Sequence, residues 1–365
     1  MADPGSSNRH DRKDDARLLL AAARERFAVA ATDLLLPDRV RLTEWQRLTA
    51  ATLLTRLVHG IEDELRARLA ERFESHGALH AALSSAHVPI ALPILERAGA
   101  LRDADLSNLL VRRVEEHRYW KAHAPATGSD ELLFQLVRDE DEEIAGEAME
   151  LVIARSRRFD RFQEPAMGAV ELPAELQHRL VWTVAAALRH YIVQQHGLAA
   201  VDAAIEEAGS ALIAAHDEGA TLEARAVRLA RRLDAAGRLH GDLLARILSE
   251  GMLPFFIAGL SSLCALDYGA AWEVLADPRG RGPALLLKAA GVDREQAAAV
   301  LLLLASHGPL VSGAEGEEAS AQLELFDTMD LASAREVLRL WQADPGYRAS
   351  VARISTRARP SAEAA

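Results

Sequence analysis

Glu175 and His178 stand three residues apart, a spacing that on a helix brings a carboxylate and an imidazole to one face. That is half of the ligand arrangement of a four-helix di-iron carboxylate site, which also needs a second Glu-x-x-His and two further carboxylates. The chain has no second Glu-x-x-His, so the pair reads as a solvated first-turn acid beside an exposed histidine. A second cluster interleaves cations with rings: Arg112, Arg113, His117, Arg118, Tyr119, Trp120, Lys121 and His123. Such a stretch can stack on bases or grip an acidic peptide, and Arg112, Arg113, His117 and Trp120 are its candidate partner contacts. Its plainer reading is an aromatic wedge between helical hairpins with a solvated basic face. A third candidate is Arg279-Gly280-Arg281-Gly282-Pro283, where Arg279 and Arg281 flank a helix start and could clamp an anion. No Gly-Lys-Ser/Thr follows and Pro283 lacks an amide donor, so loop and capping geometry competes with a nucleotide cradle. Asp139 to Glu143 lacks the alternating ligands and central glycine of a calcium loop and is read as helix-start electrostatics. Ser, His and Asp are all present, but no Gly-x-Ser-x-Gly elbow is. Nothing in these patterns calls for an enzyme, a metal or a cofactor.

The elements that must position these residues are helical. Ile144, Ala148 and Leu151 recur at four and three behind the acidic turn, as in one HEAT-type hairpin. Ala81–Ala98 and Leu136–Leu151 share this sense, and room for a further helix pair over Asp103 to Trp120 suggests three degenerate hairpins between about 76 and 160. Upstream, Asp14 or Asp15 can cap a helix carrying Leu18, Leu19, Ala22 and Phe27 that Pro37 breaks. Thr43 and Gln46 make a capping-box pattern before a long helical stretch with Leu53, Leu54, Leu57 and Ile61, and Gly60 is a candidate break. Leu176, Leu180, Val184, Leu188 and Ile192 step by four through a strong helix from Ala174 to about Gln195, which Gly197 ends. Further helices are expected over about 198–216, 222–236, 240–250, 252–265, 268–276, 283–290, 294–306 and 331–342, with Gly308 to Glu318 an acidic loop. The division expected is a tail over 1–13, an N-terminal helical region over 14–196, a C-terminal helical domain over 197–354, and a second tail over 355–365.

Composition agrees and sets limits. Half the 365 residues are hydrophobic but only 5% are aromatic, and Ala and Leu dominate, so the core is helical rather than stranded. A formal charge of −12 disfavours polyphosphate backbones as general partners. Cys264 is the only cysteine, which excludes an intramolecular disulfide and fits a reducing cytoplasm. The polar first fifteen residues lack the apolar core of a secretory signal. Gly251 to Leu266 is uncharged but falls short of the roughly 20 apolar residues of a span, so it reads as a buried helix.

Two stretches carry a resemblance beyond this pattern. They are Leu172-Pro173-Ala174-Glu175-Leu176-Gln177-His178-Arg179-Leu180-Val181-Trp182, running on to Ala185-Ala186-Ala187-Leu188-Arg189, and Asp277-Pro278-Arg279-Gly280-Arg281-Gly282-Pro283-Ala284-Leu285, closing with Ala289-Ala290-Gly291. They resemble the bacterial family known as domain of unknown function 2336, over roughly residues 80 to 350. The resemblance implies an all-α fold, HEAT-like helical hairpins followed by a second bundle-like helical region, and a regulatory or scaffolding role without catalytic residues. The expectation is a cytoplasmic, non-enzymatic helical repeat protein that binds another protein through a groove of stacked helices. Its alternatives are a nucleic-acid-binding helical repeat, resting on Arg112 to Lys121, and a helical enzyme with a carboxylate and histidine site. Oligomeric state is not legible in the residues.

Overall fold

The computed structural model describes residues 41–85, 88–123, 131–160, 162–198, 200–277, 280–305, 315–344 and a few positions as far as 354. The chain divides by its contacts into Met1–Glu44 and Trp45–Ala365, and the fold is that of the larger unit. It is all-α: among the described residues there is no strand, only an isolated bridge between Phe159 and Pro165. In chain order the helices are α1 Glu44–Arg72, α2 Gly77–Ser84, α3 Ala91–Ala98, α4 Ala104–His123, α5 Glu131–Leu136, α6 Glu142–Ser156, α7 Ala174–His196 and α8 Asp202–Ala214. There follow α9 Leu222–Ala235, α10 Gly241–Ser249, α11 Leu253–Leu263, α12 Tyr268–Leu275, α13 Gly282–Ala289, α14 Arg294–Ala305, α15 Glu315–Thr328 and α16 Leu331–Leu338.

Most of these boundaries follow the apolar periodicity and the Gly, Pro and Asp stops, and three do not. Gly60 does not break α1, which runs through it with open space where a side chain would sit. Asp103 to Trp120 is not a helix pair but one 20-residue helix, α4, because it contains no breaker. The acidic end of the expected loop over Gly308 to Glu318 is the first turn of α15, a helix that the periodicity did not reveal. The two tails, the helix after Asp14 and Arg279 lie outside the described residues.

Buried side chains gather in two apolar cores that interleave along the chain. One holds Leu53 to Val114 and returns for Met167 to Leu212. The other holds Tyr119 to Ala154 and returns for Leu222 to Leu338. Among the described residues the chain therefore crosses between cores three times, at 114–119, 154–167 and 212–222. The helix pattern set out from residues 144 to 188 holds: Ile144, Ala148, Leu151, Leu180, Val184 and Leu188 are all buried. Residues Leu253 to Ser261 of α11 are almost all buried as well, and no single helix among the described residues is long and apolar enough to cross a membrane.

Several short helices take their N-terminal caps from distant side chains. Glu62 of α1 accepts the amides of Ile90 and Ala91 at 2.8 and 3.0 Å, satisfying donors at the start of α3 that Ile90 itself cannot cap. Its neighbour Arg66 holds Glu62 at 3.2 Å and donates to the carbonyls of Ala82, Leu83, Ser85 and Val88 at the end of α2 and beyond. Glu250 serves Leu132 at the start of α5, and Gln322 serves Ala284 in α13. Antiparallel α6 and α9 pack together under a ladder of Glu143–Arg232, Glu147–Arg228 and Glu150–Arg225. Leu180→Ala in α7 should cost about 2 to 5 kcal/mol in chemical denaturation, because its side chain is buried in the core and truncation removes that burial and opens a cavity. A cost below about 0.5 kcal/mol would place that face in solvent.

Candidate functional site

The three crossings bring charged residues together. Arg112, Arg113 and Glu116 lie on α4 at the first crossing, Arg158 follows α6 at the second, and Glu223 opens α9 at the third. Glu171, in the 3-10 turn Ala169–Glu171 ahead of α7, completes a set of three guanidiniums and three carboxylates. Arg158 is the hub, at 2.7 Å from Glu116, 2.7 Å from Glu223 and 3.4 Å from Glu171. Arg112 reaches Glu223 at 3.0 Å and Glu116 at 3.6 Å. Arg113 lies 3.3 Å from Glu171 and 3.9 Å from Glu116. Tyr268 of α12 donates its hydroxyl to Glu116 at 3.3 Å, and its ring carries the Arg112 guanidinium 5.0 Å from its centroid.

Burial and charge pull these groups in opposite directions. Desolvation favours a protonated Glu223, but Arg158, Arg112 and Arg113 outweigh it and hold the carboxyl well below the usual carboxylate range. Desolvation lowers Arg113, with Arg158 adding like-charge repulsion, while Glu223 and its neighbours raise Arg112 despite its burial. Tyr268 is raised well above an ordinary phenol by burial first and by Glu116 second, so it stays a hydroxyl and a donor.

Beside this network lies a cleft of about 40 Å³ lined by Arg113, Glu116, His117, Trp120, Arg155, Arg158 and Phe159, with Leu133, Leu151, Leu222, Met252 and Phe255 among its apolar walls. It is far smaller than the few hundred cubic ångströms of an ordinary small-molecule site. His117 lies to one side of the paired rings of Trp120 and Phe159, which are 4.3 Å apart, with its own centroid 5.7 and 5.9 Å from theirs. Burial lowers its pKa, which leaves a neutral imidazole near neutrality.

The structure thus brings Arg112, Arg113, His117 and Trp120 to one place but turns their role around. Arg112 and Arg113 are buried and matched by carboxylates, so they form neither a solvated basic face nor a surface for phosphates. Sequence reasoning missed Glu116, Arg158, Glu171, Glu223 and Tyr268. Their one signal was position, since each lies next to a boundary between apolar runs. The remaining candidates resolve simply. His178 accepts from the Trp182 indole at 3.1 Å, and the acidic turn has Asp141 as the N-cap of α6 and Asp139 paired with Arg238 at 2.6 Å. Among the described residues no His, Cys, Asp and Glu group has metal-site geometry. The Cys264 thiol is pushed up to about 12 by burial and donates to the Leu286 carbonyl, which makes it a packing group.

A model of the bacterial family described as an uncharacterised protein conserved in bacteria (DUF2336) matches residues 125–339, more than half of the chain. The chain belongs to that family. No curated protein matches it. No solved structure does. The DUF2336 match takes in Arg158, Glu171, Glu223 and Tyr268 but begins after α4, so the other half of the network comes from outside it.

The glycines of the Arg-Gly-Arg-Gly loop in the DUF2336 region have structural work to do. Gly280 adopts φ 67°, and a Cβ on Gly282 would lie 1.6 Å from the Val274 carbonyl oxygen of α12, so the start of α13 touches backbone. Arg281 is exposed at the helix start, with its amide donating to Asp277 at 3.3 Å. Gly282→Ala should therefore cost roughly 1 to 3 kcal/mol or more by forcing α12 and α13 apart, read as a lowered denaturation midpoint. For the network, Glu223→Gln should cost about 3 to 5 kcal/mol because it leaves buried arginines under-neutralised, whereas Glu143→Gln in the exposed ladder should cost under about 1 kcal/mol. The sign with pH follows from the depressed Glu223: its contribution is present above an unfolded glutamate pKa of about 4.3 and is lost as pH falls below it. Acid titration of wild type and Glu223→Gln should show the gap between them closing on acidification, and a gap constant with pH would refute that account.

Proposed function

We propose that the protein is a non-enzymatic α-helical repeat protein, HEAT-like in build, that binds another protein in the cytoplasm and acts as a scaffold or regulatory adaptor. The observation that carries this reading is the outward face of α6. Met149 and Ile153, one turn apart, are 46% and 44% exposed although the opposite face of the same helix is already buried through Ile144, Ala148 and Leu151. Phe134 on α5, which packs against α6, is also half exposed. A helix needs one apolar stripe to join a core, and a second stripe facing water favours a partner. The glutamates along one edge of this stripe are engaged by arginines of α9, so a partner would meet a neutralised border.

The enzyme alternative would need reactive groups free of one another, and Arg112, Arg158, Glu116 and Glu223 are held in mutual ion pairs. The nucleic-acid alternative loses its main support with Arg112 and Arg113 turned inward. Capture from a lysate of the native cell, with wild type and a Met149→Asp, Ile153→Asp variant as baits, tests the reading. A discrete protein retained by wild type and lost by the folded variant is the expected outcome. Equal retention by both baits would remove the α6 face, and captured nucleic acid would replace the reading altogether.

A further inference from the structure

The outward stripe of α6 has an order of its own. Glu142, Gly146, Met149, Ile153 and Arg157 follow one another at helical spacing, all exposed, on the face opposite Ile144, Ala148 and Leu151. Gly146 lies inside the helix, where glycine is less favourable than any other residue except proline. It has no left-handed φ, and a Cβ there would meet nothing within 4 Å, so no described residue of the chain requires a glycine at this place. An exposed notch of this kind suits the close approach of a second backbone or a bulky side chain. The two ends of the stripe are opposite in charge, with Glu142 in the first turn and Arg157 as the C-cap. Neither forms an ion pair among the described residues.

That order is symmetric about the point between Met149 and Glu150. Glu142 and Gly146 precede this point by as many residues as Arg157 and Ile153 follow it. A second copy of the stripe, turned end for end, therefore sets Arg157 against Glu142, Ile153 against Gly146 and Met149 beside Met149. An ion pair, a bulky side chain in a notch and an adaptable apolar contact fall in register at once, which is the self-complementarity that a two-fold contact demands. A chain of formal charge −12 repels its copy unless the contact is locally neutral. This one is, since Glu143, Glu147 and Glu150 along its edge are matched by Arg232, Arg228 and Arg225. We propose that two copies of the chain pair through α6, antiparallel about a two-fold axis near Met149, with Gly146 of each copy receiving Ile153 of the other. The proposal rests on the reading of α6 as a binding face and names the occupant of that face as the chain itself. At about 1.5 Å per residue α6 is some 22 Å long. One such helix pair buries less than the roughly 1,600 Å² of a standard interface, so the dimer is reversible, with a Kd of about 10 to 100 μM.

Sedimentation equilibrium of the full chain from about 1 to 500 μM, a range that brackets this Kd, tests the pairing. The average mass should rise from 39.6 kDa toward twice that value. Gly146→Gln should unfold no earlier than wild type, because glutamine is the better helix former, yet weaken the dimer about tenfold or more by filling the notch. A glycine without a role in the contact would leave the mass unchanged. Glu142→Lys and Arg157→Glu should each weaken association about threefold or more, since each creates two like-charge contacts per dimer, and the double reversal should restore it. The monomer mass at every concentration overturns the inference. In that case, protein captured from the lysate by wild type and lost with the Met149→Asp, Ile153→Asp bait would keep α6 as a face for a different protein, and equal retention would remove that reading as well. A dimer that Gly146→Gln leaves unweakened places the contact elsewhere and overturns the inference too. So does a double reversal that binds no tighter than either single one.

Discussion

Each of the three passages between the two apolar cores among the described residues runs through one buried, charge-balanced network. Arg112, Arg113 and Glu116 mark the first crossing, Arg158 the second and Glu223 the third, with Glu171 beside them. Two apolar surfaces pressed together would tolerate several relative placements at similar cost, since the hydrophobic effect is not directional. Six charges that must each meet an opposite partner tolerate far fewer. The network therefore gives up some stability to desolvation and in return ties the placement of one core to the other through α4, which contributes to both.

This arrangement explains which features could be read from the residues. A helix that buries one stripe declares itself in the order of its residues, so α7 with Leu180, Val184 and Leu188, and α6 with Ile144, Ala148 and Leu151, were legible before any coordinates. The stops were legible too, because Gly197 and the Asp and Pro residues act locally. α15 was not, as its Glu-rich first turn resembles a loop and its inward groups include the polar Gln322 beside Phe326. The charged network was half legible. The cations of α4 form a conspicuous run, but their carboxylates come from 171 and 223, and no local pattern connects residue 112 with residue 223. Arginine in sequence has no sign of whether it faces solvent or a glutamate.

The same limit applies to helix ends. α3 and α13 have no side-chain cap of their own for their first amides, and the oxygens come from Glu62 and Gln322 on other elements, as Glu250 supplies one to Leu132 in α5. Short helices are marginal in isolation, and a cap supplied across the fold makes each depend on the packing of its neighbour. These short helices contrast with α6, α9, α12 and α16, whose own Asp141, Thr221, Asp267 and Asp330 cap them locally.

A void also has a reason to lie where it does. Apolar side chains fill space by adjusting rotamers, whereas a guanidinium and a carboxylate are held by distance and direction, so a seam of ion pairs packs less completely than the cores on either side. The cleft lies along that seam, and Arg113 and His117 on its wall are, with Glu171 of the same network, among the buried groups whose hydrogen-bonding capacity is unmet. Imperfect packing and imperfect satisfaction thus share one cause: three crossings converge on α4, and the geometry that balances their charges leaves one face of that helix incompletely covered.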